Sequence, residues 1–304
     1  MKAAKRLVIA LVALVVLLLA AVGIAAASID MLARRGVEAG GTWALGVPTT
    51  LSSADVGILA GTFEMSGLRV ANPQGFPAPH FLTLGEGGMA VSLGTLTKSP
   101  VVLPAVSLET LDVRLDRKGS ESNYKAILDH YSKVSGGGSQ VKPAAEGKKY
   151  VINELTMKDI NVELHLLGPG GTVGAVLGEA SKIKVPIDEI KLKNVGRTGS
   201  GVSGTGVTMG ELAGLIVQAV LAATVERGGG LIPSDVLGDL QGQLSSIGGL
   251  KDVGMDVVAN AKGTVEQLGK QAEEALKQGT DAADKAKEAA EGLTKGVKDL
   301  LPKK

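Results

Sequence analysis

"VSLETLDV", residues 106–113, decides how this chain folds. Val106 and Leu108 alternate with polar neighbours, two polar residues intervene, and Leu111 and Val113 resume the alternation. The same spacing recurs in "FEMSGLRV" (63–70), "LTMKDINV" (155–162) and "VPIDEIKL" (185–192). Strict alternation puts one set of side chains on one face of a strand. Two intervening residues move the phase by one. Either each strand carries a bulge there, which holds its apolar face in one direction and bends it, or its two halves bury opposite faces. A bulge at a similar place in neighbouring strands curves the whole sheet. With bulges, the pattern gives a curved antiparallel sheet in an α+β fold; without them, strands whose two halves bury opposite faces.

Working outward, Leu82 to Leu93 reads as a strand pair or one long strand, interrupted by Gly85, Gly87 and Gly88. Val151 to Leu166 is a long strand that stops at Gly168-Pro169-Gly170-Gly171, and Val173 to Val195 is its return, giving an antiparallel meander. Asn123 to Val134 predicts a short helix with Tyr124, Ile127, Leu128 and Tyr131 on one face. Ser135 to Lys149, "SGGGSQVKPAAEGKK", has linker composition. The exported part thus divides into a first sheet half with its helix (28–134), a linker (135–149) and a second half (150–198).

After Gly206 the composition changes, and no aromatic residue follows Tyr150. Residues 199–249 read as a Gly-rich hinge and a buried helix. Leu212 to Val225 has no charge over 14 residues, which is too short to span a bilayer as a helix; Gly228-Gly229-Gly230 and Pro233 end it. From Leu250 to Leu300, apolar residues such as Val257, Ala261, Val265, Leu268, Ala272 and Leu276 recur at helical spacing. Residues 250–304 therefore predict one long amphipathic helix. Its ten Lys balance ten Asp plus Glu and it has no aromatic, so it makes a poor membrane binder and reads as a long solvated helix resting one thin stripe on a neighbour; in the structural alternative it is a protein-binding tail.

Leu7 to Ala27 is an uncharged run of 21 residues. At about 1.5 Å per residue it spans ~30 Å, the hydrocarbon thickness of a bilayer. Lys2, Lys5 and Arg6 precede it, so the stub 1–6 stays cytoplasmic and the rest crosses. The competing reading is a secretory signal cut after Ala25-Ala26-Ala27, although the run exceeds the usual apolar length of such signals. Both readings export residues 28–304.

Composition narrows function further. The net charge of +1 creates no field for nucleic acid. No cysteine is present, which removes disulfides, thiolate metal sites and Cys nucleophiles together. His80, His130 and His165 share no metal-binding spacing. Gly199-Ser200-Gly201-Val202-Ser203-Gly204 matches the GxGxxG of dinucleotide sites, with Glu226 further on. The surrounding strands form no βαβ series, and a Gly/Ser hinge explains the run better. Asp188 and Glu189 fall at the polar step of the repeat, where a solvated position accounts for them. No enzyme, metal or cofactor is expected.

The stretch from Gly61 to Leu115 resembles the N-terminal region of the AsmA-like family of bacterial envelope proteins. The matching residues are Gly67, Leu68, Val70, Asn72, Pro73, Gly75 and Phe76, then Leu82, Leu84, Met89, Val91, Leu93, Val101, Val106, Leu108 and Leu111, behind an N-terminal apolar run. Asn72-Pro73 stops a strand and Gly75-Phe76 turns the corner. The resemblance covers about Leu7 to Val195; the segments 199–249 and 250–304 do not map onto the family. It implies a single-pass inner-membrane protein facing the periplasm, with a half-pipe sheet and an apolar inner groove for lipid. It also implies phospholipid transport or outer-membrane assembly, with the bilayer, phospholipid and envelope proteins as partners. Phe63, Met65, Leu68, Val70, Val106, Leu108, Leu111, Leu155, Met157, Ile160 and Val162 are the expected groove residues. Five or six strands at about 4.8 Å each give only ~25–30 Å of half-pipe, enough for an acyl chain and too short to bridge a periplasm. The alternative is a structural envelope protein with a closed β core. In either case a face this apolar needs a cover: helix 211–226, a partner or lipid.

Overall fold

All four quoted segments lie in one sheet in the computed structural model of the chain, which describes residues 28–135, 148–167, 182–197, 206–246 and 254–258. The strands are β1 (Thr49–Thr50), β2 (Ser53–Gly57), β3 (Thr62–Ala71), β4 (His80–Ala90), β5 (Val101–Lys118), β6 (Glu121–Ser122), β7 (Tyr150–Leu167), β8 (Lys182–Val195) and β9 (Gly254–Val258). The order is β1-β3-β4-β5-β7-β8-β9, with β2 also on β3 and β6 also on β5. Helix α1 occupies residues 28–45. The others are α2 (Asn123–Ser135), α3 (Met209–Arg227) and α4 (Ser234–Ser246). The fold is α+β with a largely antiparallel sheet.

The phase change proves to be a shared row. Pairs Ser66–Glu86 and Leu68–Leu84 flank Gly67 and Gly85 without a register shift. The same holds for Glu109–Lys158 and Leu111–Ile160 around Thr110 and Asp159, and for Lys158–Glu189 and Ile160–Ile187 around Asp159 and Asp188. No strand carries an extra residue against its neighbour there; each strand turns over in the same row. Gly67, Thr110 and Asp159 do so with φ of 63°, 61° and 51°. A second row runs through Pro104, Asn153 and Asn194, the last at φ 58°. The apolar side chains consequently stay on one face: Leu103, Val106, Leu108, Leu111, Val113 and Leu115 of β5 are all buried. Gly67 has a second reason to be glycine, because a Cβ there would overlap Ser52 Oγ.

Helices close this face. α3 is apolar all round, as a core helix must be, and buries Leu212, Leu215, Val217, Val220 and Leu221. Among the described residues it is the one helix long and apolar enough to cross a membrane, yet it lies inside the fold. A capping box starts it: Thr208 Oγ1 accepts from Glu211 N–H, and Thr208 N–H donates to Glu211 Oε2 at 2.7 Å. It ends at Gly228, as the glycine run predicts. Gly214 lets α2 approach, since a Cβ there would overlap the Tyr131 ring. α2 buries Tyr124, Ile127, Leu128 and Tyr131, the face the sequence predicts. Tyr124 Oη donates to Asp239 Oδ2 of α4 at 2.8 Å, and Arg117 reaches Asp235 at the same distance.

Four expectations need correction or restriction. The sheet is not antiparallel throughout: β5 and β7 run parallel over their whole length, with α2 in the connection between them. Leu82 to Leu93 is one strand that stops at Ala90, followed by a single 3-10 turn at Leu93–Thr95. Residues 199–249 hold two helices, α3 and α4, rather than one. The long helix from Leu250 does not begin there, since Gly254–Val258 is a strand on β8, with Val257 opposite Ile190. The apolar run Leu7 to Ala27, most of the linker (136–147), the Gly199–Gly204 run and residues 259–304 lie outside the described residues. Asp188 is exposed, as expected, and Glu189 pairs with Lys191 at 3.1 Å.

Candidate functional site

The sheet places the eleven expected groove residues on one face, and the helices divide them. Phe63, Val70, Val106, Leu108, Leu111, Leu155, Met157, Ile160 and Val162 are buried. Met65 and Leu68 are only partly covered. The β5-β7-β8 part is therefore closed core beneath the helices, while β3-β4-β5 retains an apolar cleft of about 90 Å³. Its sheet wall includes Met65, Leu68, Leu84, Met89 and Leu108; α1 contributes Val37, Gly41 and Leu45, and α3 contributes Met209, Leu212 and Ile216. Thr49 is its only polar lining residue.

A ladder of side chains holds α1 over the cleft. Asp30, Arg34, Glu38 and Thr42 follow one another at intervals of four, on one helical stripe. Thr42 Oγ1 accepts from Thr49 N–H at 3.0 Å, Glu38 Oε1 from Leu51 N–H at 2.9 Å, and Asp30 Oδ1 from Val56 N–H at 2.9 Å. Arg34 donates to Ser52 O at 3.3 Å. These groups belong to the open edge of the sheet, so α1 satisfies an edge that would otherwise invite another strand. The Leu51 N–H, and after it Arg34, hold the Glu38 carboxyl below its ordinary 4.5 despite partial burial.

A polar network lies where β3 and β5 end, next to the Thr42 rung of the ladder. Asn72 Nδ2 donates to Asp116 Oδ2 at 3.0 Å, and Asn123 Nδ2 donates to Asn72 Oδ1 at 2.9 Å. Asp116 N–H donates to Asn123 Oδ1, and Arg114 Nε donates to Asp116 Oδ1 at 3.2 Å. Arg114 Nη2 then reaches His165 Nδ1 at 2.9 Å. Arginine can only donate, so Nδ1 accepts and the His165 proton sits on Nε2, facing Glu163 Oε2 at 3.4 Å. Asp116 and Asn123 are fully buried. The Asn of the Asn-Pro-x-Gly-Phe corner thus ties β3 to β5 and α2. This arrangement fixes structure: every group is engaged with another and none faces the cleft.

Burial, and then the neighbouring Arg114 charge, lower the pKa of His165 below 6.5. Burial alone would raise Glu163, but Lys184 and His165 outweigh it and hold its carboxyl below 4.5. The sign follows from which state binds the proton more readily. Above pH 6.5 His165 is neutral in both states and contributes no pH dependence. Below it the unfolded chain takes up the proton first, so stability falls. Below pH 4.5, stability from Glu38 and Glu163 is lost as well. Urea midpoints should therefore decrease from pH 7.5 to 5.5, and His165→Gln should remove most of that first decrease.

In comparisons with known proteins, no family model and no curated protein sequence matches this chain.

Proposed function

We propose that the chain is an AsmA-like, single-pass protein of the bacterial inner membrane. In this reading Leu7 to Ala27 anchor it, the fold faces the periplasm, and the cleft under α1 admits part of a lipid acyl chain. The cleft carries the reading: an opening lined almost wholly by aliphatic side chains and methionines suits a hydrocarbon and nothing charged. Its place under α1 supports it too, because the residues of α1 come next after the apolar run in the sequence. At about 90 Å³ the cleft is smaller than the ~150 Å³ apolar cavities that hold benzene. An acyl chain therefore enters only when α1 lifts from the sheet edge. The bent strands read as a short half-pipe, too small to bridge two membranes alone, so outer-membrane assembly or lipid transfer would require envelope partners. Residues 259–304, charged and Ala-rich in sequence, are the segment such partners would bind.

One observation favours a second reading. Nine of the eleven expected groove residues are buried under the helices, as a non-catalytic structural protein with a closed core would have them. Photoreactive phospholipid separates the two. With a diazirine on the acyl chain, and the full chain in its native membrane, the lipid-handling reading expects label on the segments that carry Met65 and Met89 as well as on 7–27. Leu68→Glu should abolish the first and leave the second. Label confined to 7–27 in the unaltered protein would leave the structural reading standing.

A further inference from the structure

We propose that one end of the sheet carries a membrane-seating rim, which dips into the bilayer that holds the N-terminal apolar run. This inference rests on the reading that Leu7 to Ala27 cross that bilayer. The large exposed apolar side chains among the described residues are Met31, Leu32, Ile58, Leu59 and Leu93. Three separate connections bring them to one end. Asp30 of α1 accepts from Val56 N–H, two residues before Ile58. The β2–β3 turn that presents Ile58 and Leu59 closes at Gly61, whose carbonyl accepts from Val91 N–H at 2.7 Å. A Cβ on Gly61 would meet Leu93 at 3.1 Å. Leu59 is 97% exposed, as extreme a position as a leucine can take, and no packing in the fold accounts for it.

The chain itself names the occupant. Residue 28, already helical, follows Ala27 directly in the sequence, so Met31 and Leu32 come four and five residues after the end of the apolar run. The surrounding charge fits phospholipid headgroups. Lys98 and Lys148 are exposed at this end, and Lys149 is half-buried beside them. Lys148 Nζ lies 2.6 Å from Leu96 O and Lys149 O accepts from Val101 N–H, which places all three beside the Leu93 turn. Aliphatic tips with lysines along one flank, beside the Leu93 turn, are the composition of a surface that rests in the headgroup boundary, roughly 5–10 Å deep. A single crossing helix leaves a domain free to swivel; the rim would fix its pose, with the strands rising away from the bilayer.

The absence of cysteine makes the test clean. Leu59→Cys and, as a control, Glu121→Cys would each carry one environment-sensitive fluorophore. Glu121 pairs with Lys118 at the far end of β5, roughly 55 Å of strand away at about 3.3 Å per residue. The full chain is reconstituted in vesicles of phosphatidylcholine and phosphatidylglycerol, with or without brominated acyl chains. Position 59 should show blue-shifted emission and lose most of it to the brominated lipid, and position 121 should show neither. Both sites are exposed, so unchanged thermal midpoints are expected and checked. If the protein resists carbonate washing but the probe at 59 reports water, the rim is refuted and the anchor stands. A blue shift without quenching by lipid would mean that a second copy covers the tip, which also overturns the proposal. Release by carbonate would remove the anchor reading and the rim with it.

Discussion

Asp116→Ala is expected to cost about 3–5 kcal/mol of folding stability, because it leaves a charged partner and polar donors at a buried site without their acceptor. Asp116 is fully buried and accepts from both Asn72 and Arg114. With a total stability of about 5–15 kcal/mol for a typical protein, such a loss brings the fold near its limit. Asn72→Ala should cost less, about 1–3 kcal/mol, since one donor and one acceptor go while the Arg114 contact stays. Urea unfolding of the two variants at pH 7.5 measures both values. Equal, small losses would mean that the network is incidental and that Asn72 matters only for its backbone at the corner.

Met157→Glu should be nearly as damaging, whereas Leu68→Glu should not. Met157 is fully buried on β7, between Leu108 and Ile190 in neighbouring strands. A carboxylate there has no partner and no path to water, a penalty on the order of 4 kcal/mol or more. Leu68 borders the cleft and is only partly covered, so its carboxylate can turn to solvent at a cost of about 1 kcal/mol in lost burial. Thermal midpoints of both variants decide the matter. A large loss at both positions would show that the cleft is ordinary core.

Much of this architecture was legible because burial writes itself into spacing. The segments 63–70, 106–113, 155–162 and 185–192 predicted a sheet that keeps one apolar face through a phase change. The device was not legible: whether two polar residues form a bulge or a left-handed turn-over depends on what the neighbouring strand does in the same row. Asp159 and Asn194 tolerate positive φ and offered a hint, but Thr110, a β-branched residue, concealed it. The parallel pairing of β5 with β7 had a signal in the connection itself. About 31 residues with a helix separate Lys118 from Tyr150, ample for the crossover that parallel strands need. β9 was hidden because Met255 and Val257 fit a five-residue strand as well as the start of a helical stripe, and so short a window cannot separate the two periods.

The candidate site was legible in its residues and not in its boundaries. Composition made the inner face apolar, but only tertiary packing shows that α3 seals the β7 side while α1 leaves space over Met65 and Leu68. The ladder Asp30, Arg34, Glu38 and Thr42 could have been read as one stripe of a helix. Its partners, however, are backbone N–H groups of a sheet edge, which carry no side-chain signature. Likewise Asp116 and His165 sit opposite each other on β5 and β7, where the alternation of their strands gave no reason to link them to Asn72.

The central claim is that hydrocarbon reaches the cleft only when α1 leaves the sheet edge, and one engineered disulfide tests it. A Cβ built on Gly41 of α1 would lie 3.0 Å from Thr49 Cβ on β1, about half an ångström short of the ~3.5–4.5 Å that a disulfide prefers and within reach of a small shift of α1. With no native cysteine, Gly41→Cys with Thr49→Cys gives a single bridge that locks α1 down. Photolabelling by acyl-diazirine phospholipid at Met65 and Met89 should vanish in the oxidised double variant and return on reduction, with label on 7–27 unchanged throughout. Equal labelling of Met65 and Met89 in the oxidised and reduced forms would contradict the account.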